Sequence, residues 1–69
     1  MNFDENFNRL TNRQKEILRL LFNGHDAKSA ASELNISVHT VNEHLSQVRK
    51  LLNASSSRVA ARKFAEIEG

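Results

Sequence analysis

The chain has 69 residues, a net charge of +2, no Cys and no Pro. A single domain of this length can bury only roughly 60% of its unfolded surface and is marginally stable. Without Cys, neither a disulfide nor a Cys-ligated structural zinc can act as a staple, so a partner subunit becomes the natural source of extra stability. No apolar run approaches the roughly 20 residues that span a bilayer, and no secretory signal opens the chain. The expectation is a soluble, cytoplasmic protein, and the missing Cys fits a reducing compartment. Three scattered His (His25, His39, His44) without clustered carboxylates make no metal site.

The charge is unevenly placed. All ten Lys and Arg fall between Arg9 and Lys63, while only Glu16, Asp26, Glu33 and Glu43 among the acids lie there. A basic body flanked by acidic ends favours an anionic partner, of which nucleic acid is the commonest. A solubilising surface would look similar, so the distribution needs support from the elements.

Residues 1–9 are polar apart from Phe3 and Phe7. They read as a flexible N-terminal arm or linker, whose two rings either dock on the domain, residues 10–69, or have no partner in it. Beyond them the apolar residues recur three and four apart, with no strand alternation, so the expected fold is all-α with four helices. The first spans about 12–23. Thr11 and Gln14 fit a capping box, Ile17, Leu18 and Leu21 form its buried stripe, and Gly24 is a left-handed stop.

The second helix, 27–34, is capped by Asp26, and Ala27, Ala30, Ala31 and Leu34 line one face. Small residues there let another helix approach closely. Asn35 ends it, because Asn tolerates the left-handed conformation. The third spans 38–52 after Ser37 as N-cap, with Val38, Val41, Leu45, Val48 and Leu52 stepping by three and four. After a loop over 53–57, the fourth runs over 57–67 with Ala60, Ala61, Phe64 and Ile67 inward.

The informative stretch is 27–52: a short helix, the turn Asn35-Ile36-Ser37 with Ile36 as a buried plug, and a longer helix. This is the layout of a helix-turn-helix whose second helix enters the DNA major groove. The outward face of that helix carries His39, Thr40, Asn42, Glu43, Ser46, Gln47, Arg49 and Lys50. Asn and Gln can pair with adenine edges and Glu can accept from cytosine, while Arg49 and Lys50 suit phosphates. The same face also serves as the wet side of an ordinary amphipathic helix; the turn and its caps weigh towards DNA.

Several pieces together resemble the LuxR-type (GerE-like) helix-turn-helix domain of bacterial transcription regulators. Leu10-Thr11-x-Arg13-x-x-Glu16-Ile17-Leu18-x-Leu20-Leu21 is similar to the family's opening helix. Gly24 and Lys28 match its Gly and Lys, and Ala31-x-x-Leu34-x-Ile36-Ser37-x-x-Thr40-Val41-x-x-His44-Leu45 resembles its most specific stretch. Leu52, Ser56 and Ala60 are similar to its closing loop and last helix, so the likeness covers residues 10–66.

The resemblance implies base contacts at Asn42, Glu43 and Ser46, and phosphate contacts at Lys28, His39, Thr40, Arg49 and Lys50. It implies a packed, hydrogen-bonded structural role for His44. It also implies a homodimer through the last helix; Val59, Arg62, Lys63 and Glu66, on or beside the outer side of that helix, are the expected interface, and a solvated last helix is the plain alternative. The chain departs from the family at His39 and Asn42, where Lys is common, at Glu43, and at Ala30, where a larger aliphatic is usual. An unfilled gap at Ala30 would cost about 1–3 kcal/mol. Both a stand-alone regulator and a piece of a longer one fit the likeness.

The expected partners are double-stranded DNA, a second copy and, in one variant of the reading, RNA polymerase, with no membrane and no small-molecule ligand. The competing reading is a sigma-factor-like or adaptor domain used mainly for protein–protein interaction, which Glu43 keeps open. An enzyme is not expected. His25 beside Asp26 is the one close pair of titratable types, and it reads as a loop His beside a capping Asp. There is no phosphate-cradling Gly-rich loop, and no cofactor is implied.

Overall fold

The computed structural model describes residues 7–68, so Phe3 and the rest of the expected arm up to residue 6 lie outside the described residues. Four helices follow in order: α1 (Asn12–Phe22), α2 (Ala27–Leu34), α3 (Val38–Leu51) and α4 (Ser57–Glu68). None of them is long and apolar enough to cross a membrane. The chain is all-α, as its periodicity predicts.

Each helix starts on a side-chain cap. At α1 the Thr11 hydroxyl accepts from the Gln14 N–H at 3.1 Å while the Gln14 Oε1 accepts from the Thr11 N–H at 3.0 Å, a complete capping box. Asp26 accepts from the Ser29 N–H at 2.7 Å, Ser37 from the Thr40 N–H at 3.0 Å and Ser56 from the Val59 N–H at 3.1 Å. Each bond satisfies a backbone donor that the helix itself leaves free.

The first three helices also end alike. Gly24 (φ 102°), Asn35 (φ 57°) and Asn53 (φ 52°) take positive φ. The next residue then reaches back into the last turn: His25 N–H to Leu20 O at 3.0 Å, Ile36 N–H to Ala31 O at 3.0 Å, and Ala54 N–H to Arg49 O at 2.8 Å. These are Schellman closures, which need a residue that tolerates the left-handed region. Gly and Asn are those residues. The helices stop one residue earlier than the periodicity suggests at both Asn23 and Leu52, which serve as C-caps.

The core joins all four helices through Leu10, Ile17, Leu18, Ala31, Val41, Leu45, Val48, Leu52, Ala60, Ala61 and Phe64. Ile17, Leu18, Val41 and Val48 are fully enclosed. Val38 is a correction to the expected stripe: it stays 40% exposed. As the first residue of α3 it stands at the end of the helix, a turn before the enclosed Val41.

Phe7 docks. Its ring stacks on Phe64 with centroids 5.3 Å apart and planes inclined by 21°. The Lys15 ammonium sits 5.0 Å from the Phe7 centroid and the Arg19 guanidinium 5.6 Å from that of Phe64, so two cations on successive turns of α1 line the aromatic pair. Arg19 Nε also donates to both carboxylate oxygens of Glu68, at 3.1 and 3.0 Å. These hydrogen bonds hold the Glu68 carboxyl below its ordinary range and raise the Arg19 guanidinium. α1 and α4 are thus joined along an aromatic seam that ends in a surface ion pair. That pair lies at the surface, open to solvent screening, and adds little stability of its own.

Candidate nucleic-acid interface

At about 100° per residue around a helix, Val41, Leu45 and Val48 occupy one side of α3, and all three are buried. His39, Glu43 and Lys50 come out on the opposite side, and all three are exposed. Asn42 and Ser46 lie to one flank of that line, the first exposed and the second half-buried; Gln47 and Thr40 lie to the other, the first exposed and the second half-buried. The expected base-reading set Asn42, Glu43 and Ser46 therefore shares one continuous outward sector. The turn before α3 fixes how that sector is aimed. Asn35 in the left-handed region reverses the chain, Ile36 packs against the core, and Ser37 opens α3.

The expected phosphate-contacting residues fall into two kinds. Lys28 on α2 and Lys50 in the last turn of α3 are exposed, and none of the ion pairs among the described residues takes them up. Others are engaged within the domain. The Thr40 hydroxyl lies 2.9 Å from that of Ser37. Arg49 is half-buried and donates to the Ser57 hydroxyl at 2.9 Å, linking the end of α3 to the start of α4. His39 Nε2 lies 3.4 Å from a Glu43 carboxylate oxygen one turn along, a contact that is an ion pair only when His39 is protonated.

His44 is half-buried, in keeping with a packed role. Its Nδ1, however, is buried with no hydrogen-bond partner among the described residues. The expectation of a hydrogen-bonded His44 is corrected at that atom. A neutral ring with its proton on Nε2 leaves only an acceptor lone pair there, rather than a stranded donor.

On α4, Val59 is half-buried and Arg62 and Glu66 are exposed. Lys63 points back to α3: its ammonium donates to the carbonyls of Leu52 and Asn53 at 3.3 and 3.2 Å. A cation there complements the negative end of the helix dipole.

Two residues that the sequence did not single out join the site. Arg58 is exposed on the first turn of α4 and lines, together with Asn42, Phe22, His25 and Arg62, an open groove of about 530 Å³ between α3, α4 and the α1–α2 turn. The basic border of the reading face thus continues onto α4. Gln14, only 3% exposed, donates from Nε2 to Gln47 Oε1 at 2.9 Å. The one signal for it in the sequence is its place in the capping box, which says nothing about α3. Asp26, the residue beside His25, is spent on capping α2, and His25 Nδ1 lies 2.6 Å from the Ser29 hydroxyl.

Comparison with known families matches residues 8–64 to the family model GerE, bacterial regulatory proteins, luxR family. No curated protein matches the chain.

Proposed function

Because the chain belongs to the luxR family of bacterial regulatory proteins, whose helix-turn-helix domains are generally DNA-binding transcription regulators, we propose that it binds DNA sequence-specifically, with α3 in the major groove, as a homodimer through α4. The observation that carries the reading is the outward sector of α3. It is polar, it is not covered by the other helices, and exposed basic residues border it on α2, α3 and α4. A groove about 12 Å wide admits one such helix. Asn42, Glu43 and Ser46 then face base edges. Lys28, His39, Thr40, Arg49 and Lys50 face the backbone, Arg49 and Thr40 from positions already braced by Ser57 and Ser37.

The test is fluorescence anisotropy with duplex DNA at two salt concentrations. Binding that weakens steeply with salt is expected, from counterion release at phosphates. Lys50→Ala should weaken binding to every sequence alike and lower the salt slope by roughly one unit. Asn42→Ala should weaken binding to a selected operator by about 5- to 100-fold and leave scrambled DNA nearly unaffected; equal losses on both would remove Asn42 from the base-reading set. Absence of binding even at low salt would favour the adaptor reading, in which the α3 face meets a protein such as RNA polymerase. Glu43, 64% exposed at the side chain in the middle of that face, is the residue that favours it.

For the dimer, Val59 supplies apolar contact and Arg62 can meet Glu66 of a second copy. Lys63 contributes its aliphatic stem, since its ammonium is bonded to α3. Sedimentation should show self-association that rises on adding DNA, and a monomer at high concentration both with and without DNA would remove the dimer.

A further inference from the structure

The link between Gln14 and Gln47 sets the polarity of a side chain on the reading face. An amide has a carbonyl that accepts and an NH2 that donates, and its orientation is assigned by the bonds around it. For Gln14 that assignment is forced. Its Oε1 accepts from the Thr11 N–H at 3.0 Å, which only an acceptor can do. Its Nε2 is therefore the group directed at α3, where it meets Gln47 at 2.9 Å. Gln47 must answer with Oε1, and its own NH2 is the end left for solvent or a ligand.

The buried position of Gln14, 3% exposed, makes the arrangement stiff. Turning the Gln14 amide over would break the capping box and set NH2 against N–H, leaving buried donors unpaired. The backbone cap of α1 thus dictates which end of Gln47 faces outward.

Gln47 lies one turn beyond Glu43, on the flank of α3 opposite Asn42 and Ser46 and nearest the start of α1. A free Gln can pair with adenine through both its carbonyl and its NH2. With its carbonyl bonded to Gln14, Gln47 has one lone pair of that oxygen already engaged, and its NH2 is the end left wholly free to meet DNA.

We propose that Gln47 contacts DNA as a hydrogen-bond donor, its NH2 turned outward by the bond from the buried Gln14 to its carbonyl, and that it takes a hydrogen-bond acceptor on the DNA. Such acceptors are the O6 and N7 of guanine, the N7 of adenine, the O4 of thymine or a phosphate oxygen. The inference rests on the DNA-binding reading of α3.

The experiment uses two variants and a duplex chosen by operator selection, with a scrambled duplex beside it. Gln47→Ala removes the donor at an exposed position; it also takes the partner from the Gln14 NH2, so its melting curve is measured beside wild type to separate lost stability from lost DNA contact. Gln14→Glu keeps the acceptor that caps Thr11, since Glu serves in a capping box as well as Gln, but abolishes the NH2. Gln47 then turns its own NH2 inward to the carboxylate and presents its carbonyl outward. The helical circular dichroism of Gln14→Glu should match wild type, and the Gln47 side-chain amide resonances should shift in the free protein.

Each variant should weaken binding to the selected duplex by about 2- to 10-fold, the range for one net hydrogen bond. Adding Gln47→Ala to Gln14→Glu should cost nothing more. Loss on the selected duplex alone identifies a base edge, and equal loss on both identifies a phosphate; either supports the proposal. If wild type binds and Gln47→Ala binds as tightly to both duplexes, the proposal is overturned while the DNA reading stands. If wild type binds neither duplex at low salt, the DNA reading fails and takes this proposal with it.

Discussion

Phe64→Ala is expected to be the most destabilising single truncation in the core, by about 3–5 kcal/mol. Phe64 is 1% exposed on α4, stacks on Phe7 and carries the Arg19 guanidinium over its ring. Truncating a buried Phe to Ala costs about 3–5 kcal/mol. Domains hold roughly 0.05–0.15 kcal/mol of stability per residue, which for 69 residues is about 3.5–10 kcal/mol, so the loss takes about a third or more of the total. No disulfide is available to offset it. Urea and thermal melts followed by circular dichroism check the expectation. A loss below about 1 kcal/mol would show that the α1–α4 seam relaxes around the missing ring, contrary to the packing described.

The second large effect is expected at Ala30. A small side chain where the family usually has a larger aliphatic leaves either a gap beside α2 or space that its neighbours fill. Ala30 is 0% exposed, so its methyl on α2 is fully enclosed. Ala30→Leu then has no room and should destabilise the domain by about 1–3 kcal/mol through strain. It should also shift α2, the first helix of the helix-turn-helix, against its neighbours, so DNA affinity should fall further than the melting curve alone accounts for. Stability from melts and affinity from anisotropy, measured on the same sample, separate the two losses. An Ala30→Leu domain more stable than wild type would show that a cavity was there to fill.

What the sequence determined by itself is what short-range chemistry governs. The capping box at Thr11 and Gln14, the caps at Asp26 and Ser37, and the left-handed stops at Gly24 and Asn35 were all legible. Each depends on residues within about three to five positions of one another, and few residue types can fill them. The helical period likewise placed Ile17, Leu18, Val41, Leu45, Val48 and Phe64 in the core. It also placed Asn42, Glu43 and Ser46 on one outward sector of α3, because a helix turns by a fixed angle per residue.

Only the tertiary structure decided which flank of each helix meets which neighbour. The hydrogen bond from Gln14 to Gln47 joins residues 33 apart, Arg19 to Glu68 spans 49, and Lys63 reaches carbonyls at Leu52 and Asn53 on another helix. The period of α3 shows that Gln47 is outside the buried stripe, but not that the start of α1 lies beside it. The same limit explains Val38, which has the right spacing for the core and yet stands exposed at the helix end. Periodicity measures an angle about one axis; the distance and crossing of two axes come from packing all four helices at once. That packing selects the partner of every long polar side chain at the site.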